Sequence, residues 1–396
     1  MNLKLLLLLK KAGSATFILG CVFFLLGCPQ KTSHTTIDTG IYTKRDFNWS
    51  IPANYPLPVV PSSNPLSEEK FQLGRHLFYD QRLSGNQTRS CSSCHIQSLA
   101  FSDGLPQATG ATGMVHPRNS QALVNTAYNA SMNWGNPTTV TLEQQAPIPI
   151  FGEFPVELGI SDSNQDIVLS RFKTNATYQK LFAAAFPNET NAINYDNIVK
   201  SLASFVRGLN SFNSPFDQYE NGQTFAISES AKHGMDLFFS EKTECFHCHG
   251  GINFTQSSYD RTQAFADMVF FNNGLYNIDG KGSYPAGNQG IYEITAKSSD
   301  MGRFRPPTLR NIALTAPYMH DASFNTLEEV IRHYAAGGRN IISGPNAGDG
   351  RANPNKSNFV RPFDLTEQEV QDMVAFLESL TDQDFITNPR FANPWK

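Results

Sequence analysis

Two short cysteine and histidine motifs constrain this chain more than any other feature of its sequence. Each sets two cysteines three positions apart and places a histidine directly after the second. The residues are Cys91, Cys94 and His95 in "SCSSCH", and Cys245, Cys248 and His249 in "CFHCH". Redox dithiols, zinc sites and haem attachment sites all use such cysteine pairs. Only haem attachment needs the following histidine, which binds the iron while the thiols bond the vinyl groups.

The motifs therefore predict two covalently bound haem c groups, with His95 and His249 as iron ligands. A four-cysteine zinc site is an alternative, but its pairs usually stand about 15 to 20 residues apart. A redox dithiol is the other alternative, and it needs no histidine. His247 stands between the second pair of cysteines, where we expect the haem linkage to turn it away from the metal.

The first 28 residues predict a lipoprotein signal peptide. Lys4, Lys10 and Lys11 form a basic start, a short apolar run follows, and "LLGC" ends at Cys28. The run is shorter than the about 20 residues that a membrane-spanning helix needs, so an uncleaved membrane anchor is the weaker alternative. "ILGC" at Cys21 is a second candidate for the cleavage box. We therefore expect a lipoprotein of the periplasm or outer membrane, anchored through Cys28.

The remaining composition excludes other classes of protein. Of the 6 cysteines, Cys21 and Cys28 lie in the signal and the other four in the motifs, so none is left for a structural disulfide. Only 17% of the residues are charged, and the formal net charge is −4. Such a chain does not attract phosphate groups in general. We therefore expect no nucleic-acid partner, and contact with a membrane only through the lipid anchor.

The sequence also contains an internal repeat. A Gly-x-x-Leu-Phe-aromatic segment precedes each motif and begins at Gly74 and at Gly234. Each copy ends in a segment with apolar residues at helical spacing, and the second follows a Thr366/Glu369 capping box. The apolar residues are Ile198, Leu202, Phe205, Val206 and Leu209 in the first copy, and Val370, Met373, Val374, Leu377 and Leu380 in the second.

These patterns predict a mainly α fold of two cytochrome c-like helical domains, related by internal duplication and carrying long loops. We expect a tether and extended lead-in over residues 29–66, which are rich in Thr, Ser and Pro. An N-terminal haem domain then spans residues 67–215, and a C-terminal haem domain spans residues 216–396.

Four further segments show a resemblance to a known family. They are "GRHLFYDQRLSGNQTRSCSSCH", "HPRNSQALVNTAYN", "PVELG" and "RPPTLRNIALTAPYMHD". From Ser67 to its end, the chain resembles the di-haem bacterial cytochrome c peroxidase and MauG superfamily, and it is most similar to the MbnH branch. The resemblance implies a peroxidatic first haem and an electron-transferring second haem. We therefore expect a hydrogen-peroxide-dependent oxidoreductase.

The resemblance assigns roles around the first haem. Glu157 in "PVELG" matches the distal acid/base, and a desolvated carboxyl can move a proton between the two oxygens of peroxide. Glu153 is its rival, because the loop "IFGEF" carries extra residues, and a solvated or capping glutamate is the alternative for both. Gln145 matches a second distal position, and His320 matches a position near the same face. His116 stands too close to the following Arg-Asn pair to match a movable axial histidine, so we expect an open first haem.

Two further matches concern the region between the haems. Trp134 matches a tryptophan that relays electrons there, although most tryptophans are ordinary buried aromatics. Asn119, Thr315 and Pro317 match residues that hold a calcium ion, which prefers oxygen ligands. The resemblance therefore implies one calcium ion in addition to two haem c groups.

Tyr334 is the predicted sixth ligand of the second haem. A Thr326/Glu329 capping box begins a helix on which Tyr334 falls on the apolar face, and a buried phenol needs a partner for its oxygen. The family has methionine here in its cytochrome c peroxidases and tyrosine in MauG. An anionic phenolate favours oxidised iron, whereas methionine favours reduced iron. The alternative is a core tyrosine with Met319 or Met301 as the ligand.

Three functions follow from these expectations. In the first, hydrogen peroxide produces a high-valent di-haem state that oxidises a tryptophan or tyrosine of a periplasmic or surface partner protein at long range. MauG carries a surface tryptophan two residues before its second motif, where this chain has Thr243. The second function is that of a cytochrome c peroxidase, which reduces peroxide with electrons from a small cytochrome or cupredoxin. The third is a plain electron carrier.

Overall fold

The computed structural model describes residues 47–396. The predicted signal peptide, Cys28 and the first part of the lead-in lie outside these residues. Residues 47–66 form turns and extended backbone, and the first helix begins at Glu68, where the Ser67 side chain caps it. Within the described chain, no helix combines the length and the apolar character that crossing a membrane requires.

The described residues form a mainly helical structure, which confirms the mainly α part of the predicted fold class, while the internal duplication stays a prediction. In the first half, the α-helices are α1 (Glu68–Tyr79), α2 (Leu142–Gln145), α3 (Pro147–Phe151), α4 (Gln165–Lys173), α5 (Ala176–Ala185), α6 (Tyr195–Arg207) and α7 (Pro215–Glu220). In the second half they are α8 (Glu229–Phe238), α9 (Phe246–His249), α10 (Tyr292–Thr295), α11 (Leu327–Ala335), α12 (Glu367–Glu378) and α13 (Gln383–Thr387). Short 3₁₀ helices span Gln81–Leu83, Cys91–Ser93, Gln97–Leu99, Thr126–Tyr128, Ser298–Asp300, Ile312–Leu314 and Gly350–Ala352.

The described part of the chain contains one small sheet. Strand β1 (Asn340–Ile341) pairs antiparallel with β2 (Gly348–Asp349), with Asn340 opposite Asp349. Between α9 and α10 the chain forms turns and isolated bridges rather than helices or strands. Much of the chain around the two motifs is therefore irregular backbone, which tertiary contacts hold in place.

The two halves each contain a pair of crossed helices that meet at a glycine. Helix α1 packs across α6, and α8 packs across α12. A Cβ atom at Gly74 would overlap the Ser201 carbonyl oxygen, and one at Gly234 would overlap the Asp372 carbonyl oxygen. Only glycine lets the backbones approach this closely. The glycine of each predicted repeat therefore marks the closest point of a helix pair.

Sequence signals for the helix ends agree with the structure. The capping boxes predicted at Thr326/Glu329 and Thr366/Glu369 are both present, at the starts of α11 and α12. Each box satisfies backbone N–H groups that have no partner within the helix. Helix α6 covers most of the predicted apolar segment of the first copy.

The two largest apolar cores lie within one compact unit that contains all the described residues. The first surrounds Phe71, Phe78 and Phe205, and the second surrounds Phe238 and Phe376. After α12 the chain returns to the first core, which includes two residues of the C-terminal segment, Phe385 and Phe391. The domain boundary at residues 215 and 216 stays a prediction, and the last residues pack with the opposite half.

Candidate active site

The first motif lines a cavity of about 490 Å³. Cys91 and Cys94 line it and form no disulfide, and burial raises the pKa of the Cys94 thiol to about 11. Nδ1 of His95 lies 2.7 Å from the carbonyl oxygen of Phe101, so this nitrogen donates a hydrogen bond. Nε2 is then left as a metal ligand, and burial keeps the ring neutral by lowering its pKa. The volume lies within the about 300 to 1,000 Å³ that is typical of cofactor sites.

Two of the predicted distal residues line the same cavity. Burial raises the pKa of Glu157 to about 7, although its side chain keeps 33% of its surface accessible in the cavity wall. Gln145 accepts a hydrogen bond from Nδ2 of Asn133 at 3.3 Å. The rival Glu153 is exposed and is not part of the wall. Glu157 is therefore the better placed of the two carboxylates.

His116 also lines the first cavity, which its sequence position did not indicate. Its Nε2 lies 3.5 Å from Oε1 of Glu157. The contact joins two loops that are distant in sequence, so no local pattern announces it. The wall of the first cavity thus contains a carboxyl group, an imidazole and an amide.

The second motif lines a smaller cavity of about 170 Å³. Cys245 and Cys248 are free thiols. Nδ1 of His249 lies 3.1 Å from the carbonyl oxygen of Phe254, and burial lowers the pKa of the ring to about 4. Both motifs therefore present two thiols and a neutral histidine whose second nitrogen is fixed by a backbone carbonyl. This donor set fits haem c in both places.

Tyr334 lies on α11 and lines the second cavity. Burial raises the pKa of its phenol above the ordinary value of 10.0, so the phenolate needs a nearby positive charge such as a ferric ion. Met319 also lines this cavity, where its sulfur accepts a hydrogen bond from Nδ2 of Asn273 at 3.4 Å. Met301, the other rival, is not among the residues of the wall. Tyr334 and Met319 are thus the two candidates that remain for the sixth iron ligand at the second motif.

Trp134 lines both cavities. Its Nε1 donates a hydrogen bond of 2.9 Å to the backbone oxygen of Asn119, and this fixes the plane of the indole. The ring is an oxidisable group in the wall between the two motifs. Its role as a relay stays a prediction.

A third cavity of about 60 Å³ brings together the predicted calcium ligands Asn119, Thr315 and Pro317. Among the described residues, no carboxylate lines this cavity, whereas Arg305 and Arg310 do. Calcium sites take about six to eight oxygen ligands, which include carbonyl oxygens and waters. The calcium ion therefore stays a prediction, supported by the placement of three oxygen-bearing residues.

His320 lies in the wall of the second cavity and not in that of the first, and its predicted position near the distal face of the first haem stays a prediction. Its ring stacks on Phe304, with a centroid distance of 3.6 Å and an interplanar angle of 15°. Among the described residues, Nε2 of His320 has no hydrogen-bond partner. Sequence reasoning also missed Arg305, whose only signal was a charged residue before the two prolines of "RPPTLRN".

Comparisons with known proteins agree with this geometry. The family model for di-haem cytochrome c peroxidase matches residues 68–224. Cytochrome-c peroxidase IdrP1 of Pseudomonas sp. (strain SCT) is 34% identical over 344 residues, which cover 82% of this chain and 85% of that protein. The chain belongs to the di-haem cytochrome c peroxidase and MauG family.

Two further members of the family refine the comparison. Methylamine utilization protein MauG of Methylorubrum extorquens is 34% identical over 320 residues, which cover 81% of this chain and 80% of that protein. A crystal structure of a MauG-like protein associated with microbial copper homeostasis has a TM-score of 0.87 and 49% sequence identity, and covers 88% of this chain and 100% of that chain. The predicted family is thus confirmed.

The enzyme class follows from the family. MauG and the cytochrome c peroxidases are peroxide-dependent oxidoreductases, so the predicted class is confirmed. The family's cofactors are two haem c groups, which agrees with the two motifs of this chain. Relatives of both kinds, MauG and cytochrome c peroxidase, match it at similar identity. The choice between their substrates therefore rests on individual residues.

Proposed function

We propose that this enzyme uses hydrogen peroxide to oxidise a tryptophan or tyrosine side chain of a partner protein at long range. In the overall reaction, peroxide accepts two electrons and two protons and leaves as two waters, while side chains of the partner lose two electrons. When bound, the two haems supply the iron that reacts with peroxide and that stores the oxidising equivalents. The observation that carries the proposal is Tyr334 in the wall of the second cavity.

Tyr334 supports the proposal because an anionic oxygen ligand stabilises oxidised iron. A haem held by such a ligand is a poor acceptor for electrons from a small cytochrome. Tyr334 would therefore favour retention of an oxidising equivalent until a substrate that is hard to oxidise is available. Trp134, in the wall of both cavities, supports the exchange between the two haems.

The residues of the first cavity are suited to the peroxide step. Glu157 can accept a proton from the near oxygen of peroxide and return it to the far oxygen, which leaves as water. Gln145 can hold peroxide by hydrogen bonds, since its amide both donates and accepts. The neutral ring of His116, beside Glu157, can exchange the same proton.

The surface near the second cavity supports oxidation through the protein wall. Thr243 is 4% exposed, and its hydroxyl donates to the Leu237 carbonyl oxygen at 2.6 Å. It therefore has a structural role and offers no oxidisable ring at the surface. Phe359 lines the cavity and is 40% exposed, so it belongs both to the cavity wall and to the protein surface. A partner docked at Phe359 would lie next to the second cavity.

The proposal is tested on the ferric holoprotein with one equivalent of peroxide. We expect an open first haem and an oxidised state that lasts longer than the mixing time, recorded by absorption and spin resonance. Tyr334→Met should shorten its lifetime. The matched control is Tyr195→Phe, because Tyr195 lies outside all three cavities and donates to the Gln165 carbonyl oxygen.

This experiment, together with a turnover assay that supplies a reduced electron donor, separates the other functions. Two ferric haems that are fully ligated and inert to peroxide would identify an electron carrier and would contradict the proposal. Rapid turnover with a reduced cytochrome or cupredoxin would identify a cytochrome c peroxidase. Met319 in the wall of the second cavity is the observation that favours this second function.

Three further predictions remain proposals. We propose that Cys28 carries the lipid anchor, so that Cys28→Ser should release the protein into the soluble fraction of the cell envelope. A calcium ion at Asn119, Thr315 and Pro317 should be removable by a chelator, with a change in the spin spectrum. The glycine crossings at Gly74 and Gly234 support the origin of the two halves by duplication.

A further inference from the structure

Arg305 is a buried cation that lacks a carboxylate partner among the described residues. The described part of the chain buries three arginines almost completely, and they are Arg207 at 2%, Arg305 at 3% and Arg310 at 1% exposure. Arg207 pairs with Glu143, and Arg310 pairs with Asp217. Among the described residues, the guanidinium of Arg305 contacts only neutral acceptors, so it is the exception among the three.

The contacts of Arg305 satisfy some of its donors but not its charge. One donor nitrogen, Nη2, contacts Oε1 of Gln121. Nε lies 3.4 Å from the backbone oxygen of Asn133, and Nη1 lies 3.5 Å from that of Pro306. The last two distances are long for hydrogen bonds. The guanidinium therefore keeps donor capacity for a stronger acceptor.

The charge persists in spite of burial. Burial lowers the pKa of Arg305 to about 10, which still leaves the group protonated at neutral pH. An isolated charge in a protein interior is strongly unfavourable unless an opposite charge accompanies it. Arg305 lines both the second cavity and the small cavity beside it, so an anion in the second cavity would meet this need.

We infer that Arg305 binds a propionate carboxylate of the haem held by Cys245, Cys248 and His249. The inference rests on the two-haem assignment of the proposed function and extends it to the charge of the site. Guanidinium and carboxylate groups form short, charge-assisted hydrogen bonds. The pair would also neutralise a positive charge in the cavity walls that Trp134 shares; the backbone N–H of Arg305 donates a 2.9 Å hydrogen bond to the backbone oxygen of Trp134.

A cation in this place stabilises the reduced iron, because reduction adds negative charge to the haem. Arg305→Gln keeps side-chain donors for Gln121 but removes the charge. We therefore expect it to lower the equilibrium constant for reduction of the second haem by about tenfold, which is ~59 mV for a one-electron couple. The potential of the first haem should move less, since Arg305 is not part of its cavity wall.

The experiment is a spectroelectrochemical titration of the holoproteins without peroxide, together with their iron content. Arg305→Lys keeps the charge and should restore most of the potential. Arg303→Gln is the matched control, because Arg303 carries the same charge nearby but is 40% exposed and pairs with Asp300. We expect this control to leave both potentials unchanged.

Unchanged potentials in Arg305→Gln with both haems retained would overturn the inference. A shift of equal size in the Gln and Lys variants would overturn it as well, because the charge would then be irrelevant. Loss of the second haem from Arg305→Gln but not from Arg305→Lys would support it, and loss from both would show a structural role instead. The titration needs no peroxide, so the measured potentials still test the role of Arg305 if the proposed function is wrong.

Discussion

Nε2 of His116 lies 3.5 Å from Oε1 of Glu157 in the wall of the first cavity. Burial raises the pKa of Glu157 to about 7 and lowers the pKa of His116 below its ordinary value. At neutral pH the pair therefore consists of a neutral imidazole and a carboxyl group that is about half ionised. A carboxyl group with this pKa both accepts and returns a proton efficiently near pH 7.

The reaction with peroxide should depend on the ionisation of Glu157. Peroxide must lose a proton to a base, so the rate should rise with pH through about 7 and then level off. Glu157→Gln removes the base and should lower the rate by about 100-fold or more. Stopped-flow mixing of the ferric protein with peroxide, at pH values from about 5 to 9, measures both the pH dependence and the loss of rate in the variant.

Glu153→Gln is the matched control for this experiment. Glu153 stands in the same loop but is exposed and lies outside the cavity wall. Its variant should keep the full rate and the same pH profile. If Glu153→Gln lost the rate while Glu157→Gln kept it, the assignment of the acid/base to Glu157 would be wrong.

Trp134→Phe should slow electron exchange between the two haems. Phenylalanine fills most of the same space but is much harder to oxidise, and it loses the hydrogen bond to Asn119. We expect exchange to slow by about tenfold, which is ~1.4 kcal/mol in the barrier. The measurement is the delay between the spectral changes of the first and second haem after addition of peroxide.

Trp395→Phe controls for the general loss of an indole. Trp395 is 39% exposed, contacts His76 through its Nε1 and lines none of the three cavities. Its variant should show the same exchange rate as the wild type. Equal slowing of electron exchange in both variants would show that Trp134 is not a specific relay between the haems.

Local signals explain why much of this fold was predictable from the sequence. The capping boxes at Thr326 and Thr366 and the two motifs are each contained within a few residues, so their patterns can be read directly. The mainly helical class follows from the apolar periodicity. The glycine crossings were visible only as a repeat, and the structure supplies their physical reason.

Other parts of the site depend on contacts between irregular segments. The approach of His116 to Glu157 joins two loops, and the stacking of His320 on Phe304 joins two more. No periodicity or fixed spacing in the sequence predicts either contact. The unpaired charge of Arg305 is likewise apparent only when its neighbours are known, since an arginine in a sequence is usually solvated.

Gly234→Ala should destabilise the protein although alanine is the better helix former. The new Cβ would overlap the Asp372 carbonyl oxygen where α8 crosses α12. Helix propensity favours alanine by about 1 kcal/mol, whereas overpacking usually costs about 1 to 3 kcal/mol. We expect a net loss in the free energy of unfolding, measured with urea. Asp236→Ala, at an exposed position of α8, should change it little, and greater stability of Gly234→Ala would contradict the close approach.

Asp217→Asn should leave Arg310 as a second unpaired buried cation. The two side chains are each 1% exposed, and both carboxylate oxygens accept hydrogen bonds from the guanidinium, at 2.8 and 2.9 Å. Removing one partner of such a pair typically costs about 3 to 5 kcal/mol of the free energy of unfolding. Glu367→Gln breaks an exposed pair with Arg332 and should have no measurable effect.

The pair also predicts how stability depends on pH. Burial alone would raise the pKa of Asp217, but Arg310 and Ser214 outweigh burial and hold the pKa below its ordinary value of 3.8. A carboxyl group whose pKa is lower in the folded than in the unfolded state stabilises the folded protein when the pH is above its unfolded-state pKa. This contribution is lost as the pH falls through the folded-state pKa. The difference in stability between wild type and Asp217→Asn should therefore be constant near neutral pH and shrink below about pH 4. A difference that grew as the pH fell would show that Asp217 is protonated in the folded protein.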